Sequence, residues 1–169
     1  MKRIKVLFVV LALLVILASS LAFVGCKSKE STVVNTAPFK GVIVYFYNEV
    51  VTTQEIADSD AITSLLFTYD EAKNADEGLF TLLDLKEAPY NQRYGINEKI
   101  GTVELNDTDR SEGNRIFIFT SKESDKSTTD TARTINYKGH VLTQIGVDVE
   151  DMTFEEGTYI FVAKFDTTV

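Results

Sequence analysis

Carboxylates are the only abundant reactive side chains in this sequence of 169 residues. Asp148, Glu150 and Asp151 follow one apolar run closely, with Glu155 and Glu156 just beyond. Asp107, Asp109 and Glu112 form a second group. Clustered hard oxygens are the chemistry of Ca²⁺ binding. Asp107, Asp109, Asp148, Glu150 and Asp151 are therefore the candidate metal ligands. The Asp107 segment departs from an EF-hand loop, because Gly113 falls one place late and no Glu stands at the twelfth position. Paired carboxylates would also serve a small hydrolase of the glycosidase type, although any acidic chain offers such pairs. His140 is the sole histidine, so a Ser-His-Asp arrangement would have to use it. The sequence has no Gly-x-Ser-x-Gly, no His-Glu-x-x-His and no phosphate-cradling Gly-Lys-Ser/Thr.

A second kind of chemistry is recognition. The stretch Tyr90-Asn91-Gln92-Arg93-Tyr94 sets two aromatics and an arginine among turn-forming polar residues. Tyrosine and arginine dominate interface hot spots. Tyr90, Arg93 and Tyr94 are the candidate partner-binding residues. Tyr45 and Tyr47 lie in an apolar run and suit the edge of a core.

Cys26 is the only cysteine. It closes a stretch that starts with Lys2, Arg3 and Lys5 and continues through an apolar run from Val6 to Val24, interrupted by Ser19 and Ser20. A basic n-region followed by an apolar h-region is a secretory signal, and cationic flanks remain on the cytoplasmic side. The run ends Phe23-Val24-Gly25-Cys26. This resembles the lipobox of bacterial lipoproteins, in which the thiol receives diacylglycerol and the bond before the cysteine is then cut. The resemblance spans residues 1–26. It implies a covalent lipid on Cys26 and an extracytoplasmic domain anchored to a bacterial membrane; no other cofactor is expected. Lys27 follows Cys26. The family's inner-membrane retention signal, an Asp at that place, is absent, which allows an outer-membrane or cell-surface destination.

These readings divide the chain into a signal peptide at 1–25, a lipidated tether at 26–38 and a single β-rich globular domain at 39–169. The signal carries three of the seventeen basic residues and no acidic ones. The remainder therefore holds fourteen basic against twenty-five acidic residues, a net charge of −11. Such a charge repels nucleic acid and anionic headgroups. With no further cysteine, disulfides and Cys-based metal sites are excluded beyond residue 26. The polar tether over 27–38 reaches about 20 Å if flexible.

The elements behind these residues read mainly as strands. Val42 to Tyr47 is a continuous β-branched and aromatic run, the mark of a strand buried on both faces. Thr52 and Glu55 have capping-box spacing, and Ile62, Leu65, Leu66 and Tyr69 recur at helical intervals behind Asp60. This predicts one helix near 52–73, against which Thr63, Phe67 and Thr68 favour strand. Strands are predicted around 79–85, 100–105, 116–119, 131–137, 141–149 and 159–165, with Lys138-Gly139 as a tight turn. The charged segments 106–114 and 121–130 read as solvated loops. The fold class expected is an antiparallel β-sandwich or open barrel. Residues 155–161, Glu-Glu-Gly-Thr-Tyr-Ile-Phe, are similar to the lead-in of a late strand in immunoglobulin-like domains.

The function expected is a non-catalytic domain that binds a protein or glycan partner in the cell envelope. The alternatives are a small-molecule or Ca²⁺-binding lipoprotein and, third, a carboxylate hydrolase.

Overall fold

The computed structural model describes residues 39–75 and 78–167. The signal peptide, Cys26 and the tether lie outside the described residues. The domain is mainly β. A seven-stranded sheet runs in the order β2-β8-β9-β7-β10-β1-β3. Its strands are β1 (Val42–Val51), β2 (Glu55–Ile56), β3 (Ile62–Phe67), β7 (Asn114–Thr120), β8 (Thr134–Tyr137), β9 (His140–Gln144) and β10 (Thr158–Asp166). A smaller sheet joins β4 (Tyr90–Arg93), β5 (Ile96–Ile100) and β6 (Val103–Glu104). Three short helices complete the domain: α1 (Tyr69–Ala72), α2 (Gly78–Asp84) and α3 (Asp107–Ser111).

The apolar run of β1 is an interior strand of the large sheet, next to the edge strand β3. It pairs with β10 in parallel and with β3 antiparallel. Both of its faces are covered, which is why its sequence does not alternate. On one face Val42, Val44, Phe46, Ile116, Ile118, Ile160 and Val162 pack against Leu79, Leu82 and Leu83 of α2 and Ile100, Val103 and Leu105 of the small sheet. On the other face Tyr45, Phe119 and Phe161 meet Ile135, Tyr137 and Leu142. Tyr137 of β8 lies 4.9 Å from the Tyr45 ring and 5.1 Å from the Phe161 ring, although β9 and β7 separate β8 from β10 in the sheet. The sheet must therefore curl on itself. The chain leaving β1 crosses to β8 as β2, in parallel, and closes one end of the curl as an open barrel.

Several local expectations change. Residues 62–67 form a strand, because pairing with β1 outweighs the helical spacing of Ile62, Leu65 and Leu66. The helix follows as the single turn α1, where Thr68 and Glu71 make the capping box; Glu55, spaced for one with Thr52, starts β2 instead. Residues 78–84 are a helix rather than a strand; Leu79, Leu82 and Leu83 recur at i, i+3 and i+4 and all face the core. Residues 100–105 are not one strand: Gly101 and Thr102 turn the chain between β5 and β6. The segment 106–114 contains α3, with a capping box from Asn106 to Asp109. The segment 121–130 is pinned rather than loose, because buried Asp125 accepts the Thr153 N–H at 3.0 Å and pairs with Lys122 at 3.4 Å.

The turn at Lys138-Gly139 is as expected, with Tyr137 opposite His140 and positive φ at both turn residues. Residues 155–161 lead into β10 through Gly157, whose φ is 82°.

Candidate partner-binding site

Arg93 and Tyr94 come together at the tip of the β4–β5 hairpin. The two-residue turn Tyr94-Gly95 has φ of 53° and 76°. That is the geometry of a type I′ turn, which needs positive φ at both central residues and favours Asn-Gly. Gly95 suits it. Tyr94 does not, since a left-handed backbone brings Cβ against the following carbonyl at about 1–2 kcal/mol. Packing gives nothing back, as Tyr94 is 90% exposed. Among the described residues its ring contact is the Arg93 guanidinium, 5.2 Å from the ring centroid. A large aromatic held in strain at an exposed tip points to a role outside the fold.

The strain makes a stability prediction. Tyr94→Asn should stabilise the protein by about 0.5–1 kcal/mol, because Asn tolerates this conformation. A thermal melt checks it, and a lowered midpoint would remove the strain argument.

Tyr90 plays a different part. Its ring stacks on Phe80 of α2 at 4.3 Å and 12°, and its hydroxyl donates to Asp84 Oδ2 at 3.2 Å. It fastens the root of the hairpin to the core, while Arg93 and Tyr94 stand at the tip. Gln92 and Asn97 tie the two strands together through a 2.6 Å side-chain hydrogen bond.

Beside the tip lies a groove of about 270 Å³. It is lined by Arg93, Tyr94, Ile96 and Glu98 of the hairpin and by Leu105, Arg110 and Arg115. Arg110 is engaged: it donates to the Leu105 carbonyl at 2.7 Å and to Asp107 at 2.6 Å, and approaches Glu98 at 3.9 Å. Arg115 donates to the Asn114 carbonyl at 2.7 Å. Among the described residues neither Arg93 nor Arg115 has an acidic partner. Sequence reasoning missed Arg110 and Arg115. The available signal was scarcity: only four arginines follow Cys26, at positions 93, 110, 115 and 133.

The carboxylates are dispersed. Asp107 is exposed at the start of α3. Asp109 is buried and receives the Lys164 ammonium at 3.0 Å. Burial alone would raise its pKa, but the Asn106 N–H, Lys164 and the Asn114 amide together hold it below the usual carboxylate range. Asp148, Glu150 and Asp151 are exposed around a 3₁₀ turn at Val149–Asp151. Among the described residues no group of three or more His, Cys, Asp or Glu side chains is gathered to hold a metal ion.

Three other titratable groups make contacts within the fold. His140 stacks on Tyr159 at 3.8 Å. Burial and a 2.5 Å hydrogen bond to Asp58 push the Tyr137 hydroxyl up to about 12, so it stays protonated at neutral pH. Ion pairing with Lys86, with help from Thr68, holds Glu71 down at about 2.

A wider cleft of about 670 Å³ opens by the β1–β2 crossing, lined by Val51, Thr53, Glu112, Asn114, Arg133 and Phe165 among others. The Arg133 guanidinium lies 4.7 Å from the Phe117 ring and 5.9 Å from the Phe165 ring.

No family model, curated protein or solved structure matches this chain.

Proposed function

We propose that the protein is a membrane-anchored extracytoplasmic lipoprotein whose β-rich domain is non-catalytic and binds a protein or glycan partner in the cell envelope. The observation that carries the binding half is Tyr94, strained and 90% exposed beside Arg93 at a hairpin tip. The anchoring half rests on the lipobox-like Phe23-Val24-Gly25-Cys26 behind a basic and apolar leader. Two acyl chains anchor a protein stably where one does not.

One experiment tests both halves. A photo-crosslinking amino acid is placed at position 94, or at Thr128 on another loop, in full-length protein expressed in its own cells. The expected outcome is a discrete crosslinked species from position 94 alone, in the membrane fraction. The same protein carrying Cys26→Ser is expected to keep its leader and lose the lipid. Crosslinks equally frequent at both positions would remove the hairpin reading. A Cys26→Ser protein that stays membrane-bound at its processed size would remove the anchor.

The Arg133 cleft favours a second reading, a small-molecule-binding lipoprotein. Its apolar walls, with Arg133, Glu112 and Asp166 around them, suit a small amphiphile with a polar head. A ligand held there would raise the melting midpoint.

A further inference from the structure

We infer that the groove beside the Tyr94 hairpin receives an acidic segment of a protein partner, taking a carboxylate side chain between Arg93 and Arg115 and an apolar neighbour against Ile96 and Leu105. The inference rests on the hairpin being the binding surface and adds the chemistry of what it binds.

The charge distribution leads there. The chain beyond Cys26 has a net charge of −11, yet three of its four arginines line this one groove. The charge of Arg110 is met by Asp107 and Glu98. Those of Arg93 and Arg115 meet no carboxylate among the described residues, so they are left to an outside group. Arginine rather than lysine matters, because its planar fork matches a carboxylate with two parallel hydrogen bonds.

The walls narrow the choice. Glu98 stands within the groove and is half-buried, which disfavours a doubly charged phosphate more than a singly charged carboxylate. Leu105 is buried beneath the groove and Ile96 is exposed on its wall, both alkyl surfaces suited to an aliphatic side chain. Tyr94 at the rim supplies a rigid aromatic cover with little entropy to lose. An acid next to an aliphatic residue is the peptide that fills both demands. The net negative charge of the rest of the domain disfavours such a segment over most of the surface, which favours this groove.

The test uses full-length protein in non-ionic detergent and a fluorescein-labelled decapeptide of alternating Glu and Val with blocked ends, followed by anisotropy. The same decapeptide with Gln for Glu, inorganic phosphate and an oligogalacturonate serve as competitors. Saturable binding of the Glu peptide is expected. Arg93→Gln and Arg115→Gln should each weaken it about tenfold, with unchanged melting midpoints, while Lys40→Gln should leave it unchanged. Raising salt should weaken binding, since the contacts are exposed charges. Equal binding of the Gln peptide, indifference to both arginine changes, or no binding at all would overturn the inference. Stronger competition by the oligogalacturonate or by phosphate would overturn it too, by giving the groove a different occupant. A crosslink from position 94 without any binding of the Glu peptide would leave the hairpin reading standing and remove only the acidic-segment chemistry.

Discussion

Lys164→Met is expected to destabilise the protein by about 3–5 kcal/mol, as breaking a buried ion pair from one side does. Lys164 shares a face of β10 with Ile160 and Val162 and is only 7% exposed, and its Asp109 partner is 8% exposed. Removing the ammonium leaves a buried carboxylate with its Asn106 and Asn114 hydrogen bonds but no opposite charge. The double change Lys164→Met with Asp109→Leu should recover most of the loss, because two apolar groups can replace a buried pair at little cost. It should stop about 1 kcal/mol short of the native protein, since Asp109 also closes the capping box of α3. Denaturant unfolding followed by circular dichroism measures all three. A single-variant loss below about 1 kcal/mol would show that water reaches the pair.

The same pair sets an acid limit. The pKa of Asp109 is lower in the folded state than in the unfolded chain. Its contribution to stability is complete above the unfolded value of about 3.9 and disappears as pH falls through the lower folded value. Lys164→Met should therefore flatten the acid limb of a stability–pH curve. The consequence reaches the groove, because Asp109 fixes α3 and α3 carries Arg110.

Gly101→Ala is expected to cost about 2–4 kcal/mol, the sum of a backbone and a packing effect. Gly101 turns β5 into β6 with φ of 59°. A Cβ there would stand 2.3 Å from the Phe46 ring, which is 2% exposed. The ring has nowhere to go, so the small sheet must move away from the large one. That sheet carries the hairpin, and the variant should lose crosslinking from position 94 even at temperatures where it remains folded. Combining it with Phe46→Leu should restore part of the stability. The two effects should then be non-additive by about 1 kcal/mol or more, as expected of residues in contact. Strict additivity would mean that the turn does not rest on Phe46.

Strands flanked by clear punctuation were legible in the sequence. The Val42–Tyr47 run, the Ile116–Phe119 run and the turn at Lys138-Gly139 each carried their own signal, and the mainly β class, sandwich or open barrel, followed from them. What misled was ambiguity of period. Ile62, Leu65 and Leu66 fit a helix by spacing, yet Leu66 is 59% exposed and the segment answers to its pairing with β1. Leu79, Leu82 and Leu83 carried the true helical spacing inside a run apolar enough to pass for a strand.

Polar segments misled for another reason. Asp109 and Asp125 sit in stretches whose composition reads as solvated, and both are buried through partners distant in sequence or fixed by the fold, Lys164 and Thr153. No local pattern announces such a partner. The candidate site was half legible for the same cause. Arg93 and Tyr94 are neighbours in sequence, while Arg110 and Arg115 join them only because α3 and β7 lie across the groove from the hairpin.

The parallel pairing of β1 with β10 sets Val42 opposite Thr158 and Val51 opposite Phe165. The β10–β1 seam thus joins residues far apart in the domain's sequence, and no strand between them takes the place of either. Contacts so far apart in sequence slow folding, because loop closure must precede any gain from the pairing. A chain that forms its strands in sequence order would hold β1 with the nearby β3 as its sole strand partner until β10 joined. Whatever forms earlier, this core stays open along one side of β1 until β10 docks.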